Sequence, residues 1–101
     1  MAALALEDRF MNLVKVGEKT STVRRGVRPF TPGEVLTLEG TGGDNLGVFI
    51  TEVTFKMVED LTDADARADG FEDSDELLEV LEGIYGALTP SETVTVIRFA
   101  L

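Results

Sequence analysis

Lys19, Thr20, Thr22 and Arg24 fall together in the run Val16-Gly17-Glu18-Lys19-Thr20-Ser21-Thr22-Val23-Arg24-Arg25. An amine, a hydroxyl and a guanidinium held so close can bind an anion, read the polar edge of a ring, or activate a nucleophile. The glycine reads as a turn, and Thr-x-Thr-x-Arg after it reads as a strand. Side chains of a strand alternate faces, so Thr20, Thr22 and Arg24 share one side while Ser21, Val23 and Arg25 take the other. Lys19, at the turn, has a stem long enough to lean over the first row. A solvated edge strand carries the same residue types, so the pattern alone leaves both readings open.

Whatever this run does, it works without the commonest catalytic side chains. The 101 residues include no cysteine and no histidine. Disulfides, thiolate metal sites, cysteine nucleophiles and an imidazole base are therefore excluded. Catalysis would have to run on Lys, Asp, Glu, Thr, Ser or Tyr85, and no metal or cofactor is expected. A net charge of −10 argues against a passive grip on long nucleic acid, whose affinity comes mainly from neutralised phosphates. The charges are unevenly spread. Lys15, Lys19, Arg24, Arg25 and Arg28 are five of the nine basic residues, whereas eleven of the nineteen acidic ones lie between Glu59 and Glu82. A basic patch on an acidic body suits a small anionic or polar ligand better than a duplex, and the overall acidity also serves solubility.

The length fits one domain, residues 1–101, with a real hydrophobic core. The opening Met1-Ala2-Ala3-Leu4-Ala5-Leu6 has no basic stretch and runs into Glu7-Asp8-Arg9, unlike a signal peptide. No apolar run reaches membrane-spanning length. No membrane partner and a cytoplasmic location are expected by elimination.

Residues 3–6 read as a short strand, and 7–16 as a helix with Phe10, Leu13 and Val14 on one face and Gly17 at its end. Strands are predicted over 20–25, 34–39, 47–58 and 93–101, the long one bulged after Ile50 where its alternation slips. Gly40 to Asn45 reads as a flexible hairpin loop; it is not a phosphate loop, since no Lys-Ser or Lys-Thr pair follows. A short helical turn opens at Thr62 or Asp63, and Ser74 is the expected cap of a helix over 74–83 with Leu77, Leu78, Leu81 and Ile84 as its apolar stripe. Strands dominate, with helices inserted early and late. That order predicts an α+β architecture around a small barrel-like sheet rather than alternating βαβ units.

With this order in place, the chain resembles the ASCH domain family, whose members have a PUA-like mixed β-barrel with flanking helices. The family's Gly-x-Lys-x-x-Thr-x-Arg signature reads Gly17-Glu18-Lys19-Thr20-Ser21-Thr22-Val23-Arg24 here. Arg9-Phe10, Pro32-Gly33-Glu34-Val35-Leu36, Glu52-Val53-Thr54, Leu61-Thr62, Ala68-Asp69-Gly70-Phe71 and Val96-Ile97-Arg98-Phe99 extend the likeness over nearly the full length. The resemblance is nearest to the small bacterial N(4)-acetylcytidine amidohydrolases, which use a lysine, a threonine and a glutamate. It implies catalytic roles for Lys19, Thr22 and Asp69, the last standing where the family has glutamate.

In that reading Lys19 removes the Thr22 proton, Asp69 orients the lysine or shuttles a proton, and Arg24 with nearby backbone N–H groups steadies the oxyanion. Arg24, Thr20, Arg25 and Phe30 are the expected substrate-binding residues, with Phe30 or Tyr85 available for stacking. All three catalytic residues are expected in one concavity, Lys19 and Thr22 at its mouth, with Glu72 or Glu76 as the substitute carboxylates. The implied partner is a modified nucleoside or nucleotide. The alternative is a non-catalytic module for single-stranded RNA or a nucleotide; a third reading the resemblance implies, an ASCH-type ribonuclease, has no independent support in the residues.

Overall fold

A computed structural model describes residues 2–101. Its elements are β1 (Ala2–Leu6), α1 (Asp8–Lys15), β2 (Ser21–Arg25), β3 (Val35–Gly40), β4 (Asn45–Met57), α2 (Asp63–Ala68), α3 (Ser74–Tyr85) and β5 (Thr93–Ala100), with a single 3-10 turn at Val58–Asp60. The strands form one sheet in the order β1-β3-β4-β5-β2. β1 runs parallel to β3, and the other neighbours are antiparallel. The sheet curls into a half-barrel whose edges are β1 and β2, as the strand-rich order predicts.

Side-chain alternation splits the core into two layers. Leu4, Leu6, Leu36, Leu38, Val48, Ile50, Ile97 and Phe99 line the concave face and pack against Phe10, Met11 and Val14 of α1. Val94 and Val96 point the other way and join Val23, Ala66, Leu77 and Leu81 beneath α2 and α3. β5 is thus covered on both faces, and Val94, Thr95, Val96 and Ile97 are buried in succession. The bulge predicted in β4 is present as a register shift between Ile50 and Glu52. It moves the inward parity from Val48 and Ile50 to Val53, which is half-buried; beyond it Phe55 and Met57, of the same parity, are exposed.

Two local expectations change. Asp73, not Ser74, caps α3: its carboxylate accepts from Glu76 N at 2.9 Å, while Ser74 N donates to Asp63. The Gly40 to Asn45 hairpin, expected to be flexible, is pinned to α1, with Gly42 N donating to the Asp8 carboxylate at 3.0 Å and Lys15 pairing with Asp44. Among the described residues no helix is long and apolar enough to cross a membrane.

Candidate functional site

The Lys19 turn is built by the end of α1. Gly17 adopts φ +82°, Gly17 N donates to Val14 O and Glu18 N to Leu13 O, the paired bonds of a Schellman close. Lys19 N adds a third bond to Leu13 O at 3.1 Å, which folds the chain back and sends the lysine stem inward. α2 supplies the partner. Thr62 and Asp65 cap it reciprocally, an aspartate serving where glutamate or glutamine is commoner. At its other end Ala68 O accepts from Thr20 N at 2.7 Å, joining the helix terminus to the start of β2.

Asp69 follows, and Gly70 turns the chain with φ +96°. A Cβ on Gly70 would lie 3.1 Å from Leu13 Cδ1 and 3.7 Å from Lys19 Cβ, so glycine is required both by backbone conformation and by the close approach. Lys19 Nζ consequently donates to Asp69 Oδ1 and, at 3.1 Å, to the Asp69 carbonyl.

Lys19, Thr22, Arg24 and Asp69 line one cavity of about 260 Å³ at the open seam between β1 and β2. The register pairs Thr22 with Ile97 and Arg24 with Thr95, placing both on the concave face. Arg24 Nε donates to Thr22 Oγ1 at 3.3 Å, and its Nη2 to the Ala5 carbonyl of β1 at 2.8 Å. Phe10 and Phe71 meet edge to face, centroids 5.6 Å apart, and the Lys19 ammonium lies 5.6 Å from the Phe10 ring centre. The far wall is α3, through Leu77, Val80, Leu81, Ile84 and Tyr85.

The ASCH domain family model matches residues 1–101. The chain belongs to the ASCH domain family. Solved structures agree on the fold. An ASCH domain from Lactobacillus crispatus JV V101 superposes with a TM-score of 0.71 at 12% identity, covering 98% of this chain and 79% of that one. ASCH from Zymomonas mobilis gives 0.75 at 13%, covering 98% and 66%. A protein from Enterococcus faecalis V583 gives 0.73 at 17%, covering 91% and 69%. Comparison with curated proteins finds no match.

Within this ASCH domain the site residues expected from sequence divide into two groups. Lys19, Thr22, Arg24 and Asp69 converge, although fifty positions separate the first from the last. Lys19 and Thr22 are not at the mouth, where they were expected: each is only 3% exposed. Thr20 is exposed at the turn outside the cavity lining, Arg25 projects from the opposite face and pairs with Glu92 at 2.7 Å, and Phe30 packs against the concave core. Glu72 and Glu76 are exposed and do not line the cavity. Of the two stacking candidates, Tyr85 lines the cavity and Phe30 does not; sequence reasoning missed Phe10, Phe71 and the rest of the α3 wall. The signal was present in Phe71 directly after Asp69-Gly70, and in an α3 stripe wider than packing on one sheet face requires.

Burial, first, and the nearby Arg24 charge, second, push the Lys19 amine down to about 7. Contact with Asp69 pulls the other way, toward the ammonium, but burial decides the direction. Arg24 is itself pushed down by burial, with Tyr85 opposing, yet a guanidinium stays charged at any physiological pH. The neutral form of the Lys19 amine is therefore more accessible than that of an exposed lysine. Among the described residues no three acidic side chains cluster as a metal cage would need.

Proposed function

We propose that this ASCH domain is an amidohydrolase that removes the acyl group from N(4)-acetylcytidine or a related modified nucleoside. The observation that carries this reading is the buried Lys19–Asp69 pair sharing one cavity with Thr22. A titratable amine, a carboxylate that orients it and a hydroxyl are the parts needed for acyl transfer by nucleophilic catalysis.

In the resting site Lys19 donates to Asp69 and Thr22 accepts from Arg24; the two reacting groups meet only when substrate is bound, as general-base contacts commonly do. Neutral Lys19 then takes the Thr22 hydroxyl proton as Oγ1 attacks the acyl carbon. The tetrahedral adduct collapses, the C–N bond breaks, and the Lys19 ammonium returns the proton to the departing exocyclic nitrogen. Cytidine leaves and an acyl ester remains on Thr22. Water, deprotonated by Lys19, attacks that ester; its C–O bond breaks, Lys19 reprotonates Thr22, and the carboxylic acid departs.

The cavity also suits the leaving group. Its volume of about 260 Å³ is near the lower end of small-ligand sites and matches one nucleoside rather than an oligonucleotide. Phe10, Phe71 and Tyr85 offer ring faces or edges to a base. Arg25 and Phe30, two side chains an RNA platform would use, are engaged elsewhere.

Incubating the purified protein with N(4)-acetylcytidine and following cytidine by chromatography tests the reading. Wild type is expected to release cytidine, and the near-isosteric Thr22→Val is expected to lose most of that turnover while staying folded. A folded wild-type protein that releases nothing from N(4)-acetyl-, N(4)-propionyl- or N(4)-benzoylcytidine would overturn it.

A further inference from the structure

The signature arginine would ordinarily be assigned to the substrate, as a donor to the oxyanion. In this structure its guanidinium is already occupied on two sides. Nη2 reaches 2.8 Å across to the carbonyl of Ala5, and Nε donates to Thr22 Oγ1 at 3.3 Å. Ala5 belongs to β1 and Arg24 to β2, which lie at opposite edges of the five-strand order and share no ladder. The cavity opens between these two strands, so Arg24 spans the gap in which the chemistry would take place.

We propose that Arg24 is the positioning residue of the site: it ties the two free edges of the half-barrel together at the cavity and, through the same head group, sets the direction of the Thr22 hydroxyl. The proposal rests on the amidohydrolase reading for its catalytic consequence, but the tie itself is a property of the substrate-free protein.

The hydrogen-bond chemistry supports the second half. A hydroxyl oxygen that accepts from Nε turns its own hydrogen away from the guanidinium, leaving it free for a base. Lysine could not replace this arrangement, because a single ammonium on a flexible stem lacks the planar fork that serves two acceptors at fixed separation. The first half follows from topology. Ala5 O is an acceptor on the outer side of an edge strand, and the tie from β2 satisfies it with a charged donor.

Arg24 also acts on the base. The ionisable groups that share the cavity with Lys19 are Asp69 after α2, Arg24 on β2, Glu7 before α1 and Tyr85 on α3. Of these, the guanidinium is the neighbour whose charge adds to burial in favouring the neutral amine. Removing it makes Lys19 harder to deprotonate.

Two variants separate these roles. Arg24→Gln removes charge and fork; Arg24→Lys keeps the charge and loses the fork. Hydrogen exchange on the substrate-free proteins is expected to show faster exchange than wild type for amides 4–7 and 22–24 in both variants. The Lys19 side-chain titration, followed by NMR, is expected to move to higher pH in Arg24→Gln and to stay near the wild-type position in Arg24→Lys. With N(4)-acetylcytidine, kcat should fall about 100-fold in Arg24→Gln, the scale of a roughly 1 Å misplacement, with KM changed less than about threefold. Unchanged exchange at both segments in both variants overturns the tie. A Lys19 titration unmoved in Arg24→Gln overturns the charge role, and a raised KM at unchanged kcat returns Arg24 to simple substrate binding. The exchange and titration arms need no turnover, so they read Arg24 even if N(4)-acetylcytidine is not the substrate.

Discussion

Lys19 and Asp69 face each other where neither meets water, each about 3% exposed. Removing one partner strands the other charge, so Lys19→Met should cost about 3–5 kcal/mol of stability. The double variant Lys19→Met/Asp69→Leu should recover most of that loss in urea denaturation while remaining inactive. The same lysine ties stability to pH. Its folded value lies near 7 and its unfolded value near 10.5, so between them the unfolded chain holds a proton that the folded one has lost. Stability relative to the double variant should therefore rise with pH across that window, by at most about 1.4 kcal/mol per unit, and the contribution is lost as pH falls through 7. Asp69→Glu is sharpened by the geometry as well. Asp69 already touches the amine, so a longer carboxylate has no gap to fill. It should crowd the pair, and the expected result is a loss of cytidine release rather than a gain.

At the scale of elements, the site hangs on how two short helices end. Gly70→Ala forces a residue with a Cβ into φ +96° and against Leu13 Cδ1 at 3.1 Å. A cost of about 1–3 kcal/mol is expected, with a parallel fall in activity because the strain falls one residue from Asp69. Thr62→Ala removes one half of the reciprocal cap on α2 and should cost about 1 kcal/mol in a thermal melt, with a smaller effect on turnover. Asp65, the other half, is buried and paired to Lys56 at 2.7 Å. Burial alone would raise its carboxyl, but the hydrogen bonds from Lys56 and from Thr62 N hold it below the usual range. Most of these elements were legible from periodicity, including the β4 bulge. The α3 cap was not, because Asp73 and Ser74 are both good caps and only Asp63, eleven residues away from Ser74, decides between them.

The whole molecule carries a charge of −10, and its cavity sits at a seam rather than along an open groove. If the proposed reading holds and the site takes one neutral nucleoside, binding has no counterions to release. Cytidine release should change less than about twofold between 50 and 200 mM salt, where a binder making many phosphate contacts loses about 1,000-fold or more in affinity. An oligouridine added at micromolar concentration should leave the rate unchanged. Strong inhibition by the oligonucleotide, together with a steep salt dependence, would instead favour the RNA-module reading.

The residue types from Gly17 to Arg24 narrow the chemistry without choosing between a site and a solvated edge strand, and strand alternation already separates Thr22 and Arg24 from Ser21, Val23 and Arg25. Local order along the chain also suffices for the α+β class. Alternation assigns parity, however, not what covers each face. Whether Arg25 and Phe30 meet a ligand, Glu92 or the core depends on segments far away in sequence. The Lys19–Asp69 contact, the burial of both groups and the depression of the amine come from packing α1 against the end of α2. Desolvation is a property of everything that surrounds a group at once, and no run of adjacent residues contains it. The tie from Arg24 to Ala5 has the same origin: only a curled sheet brings its first and last strands within reach of one guanidinium.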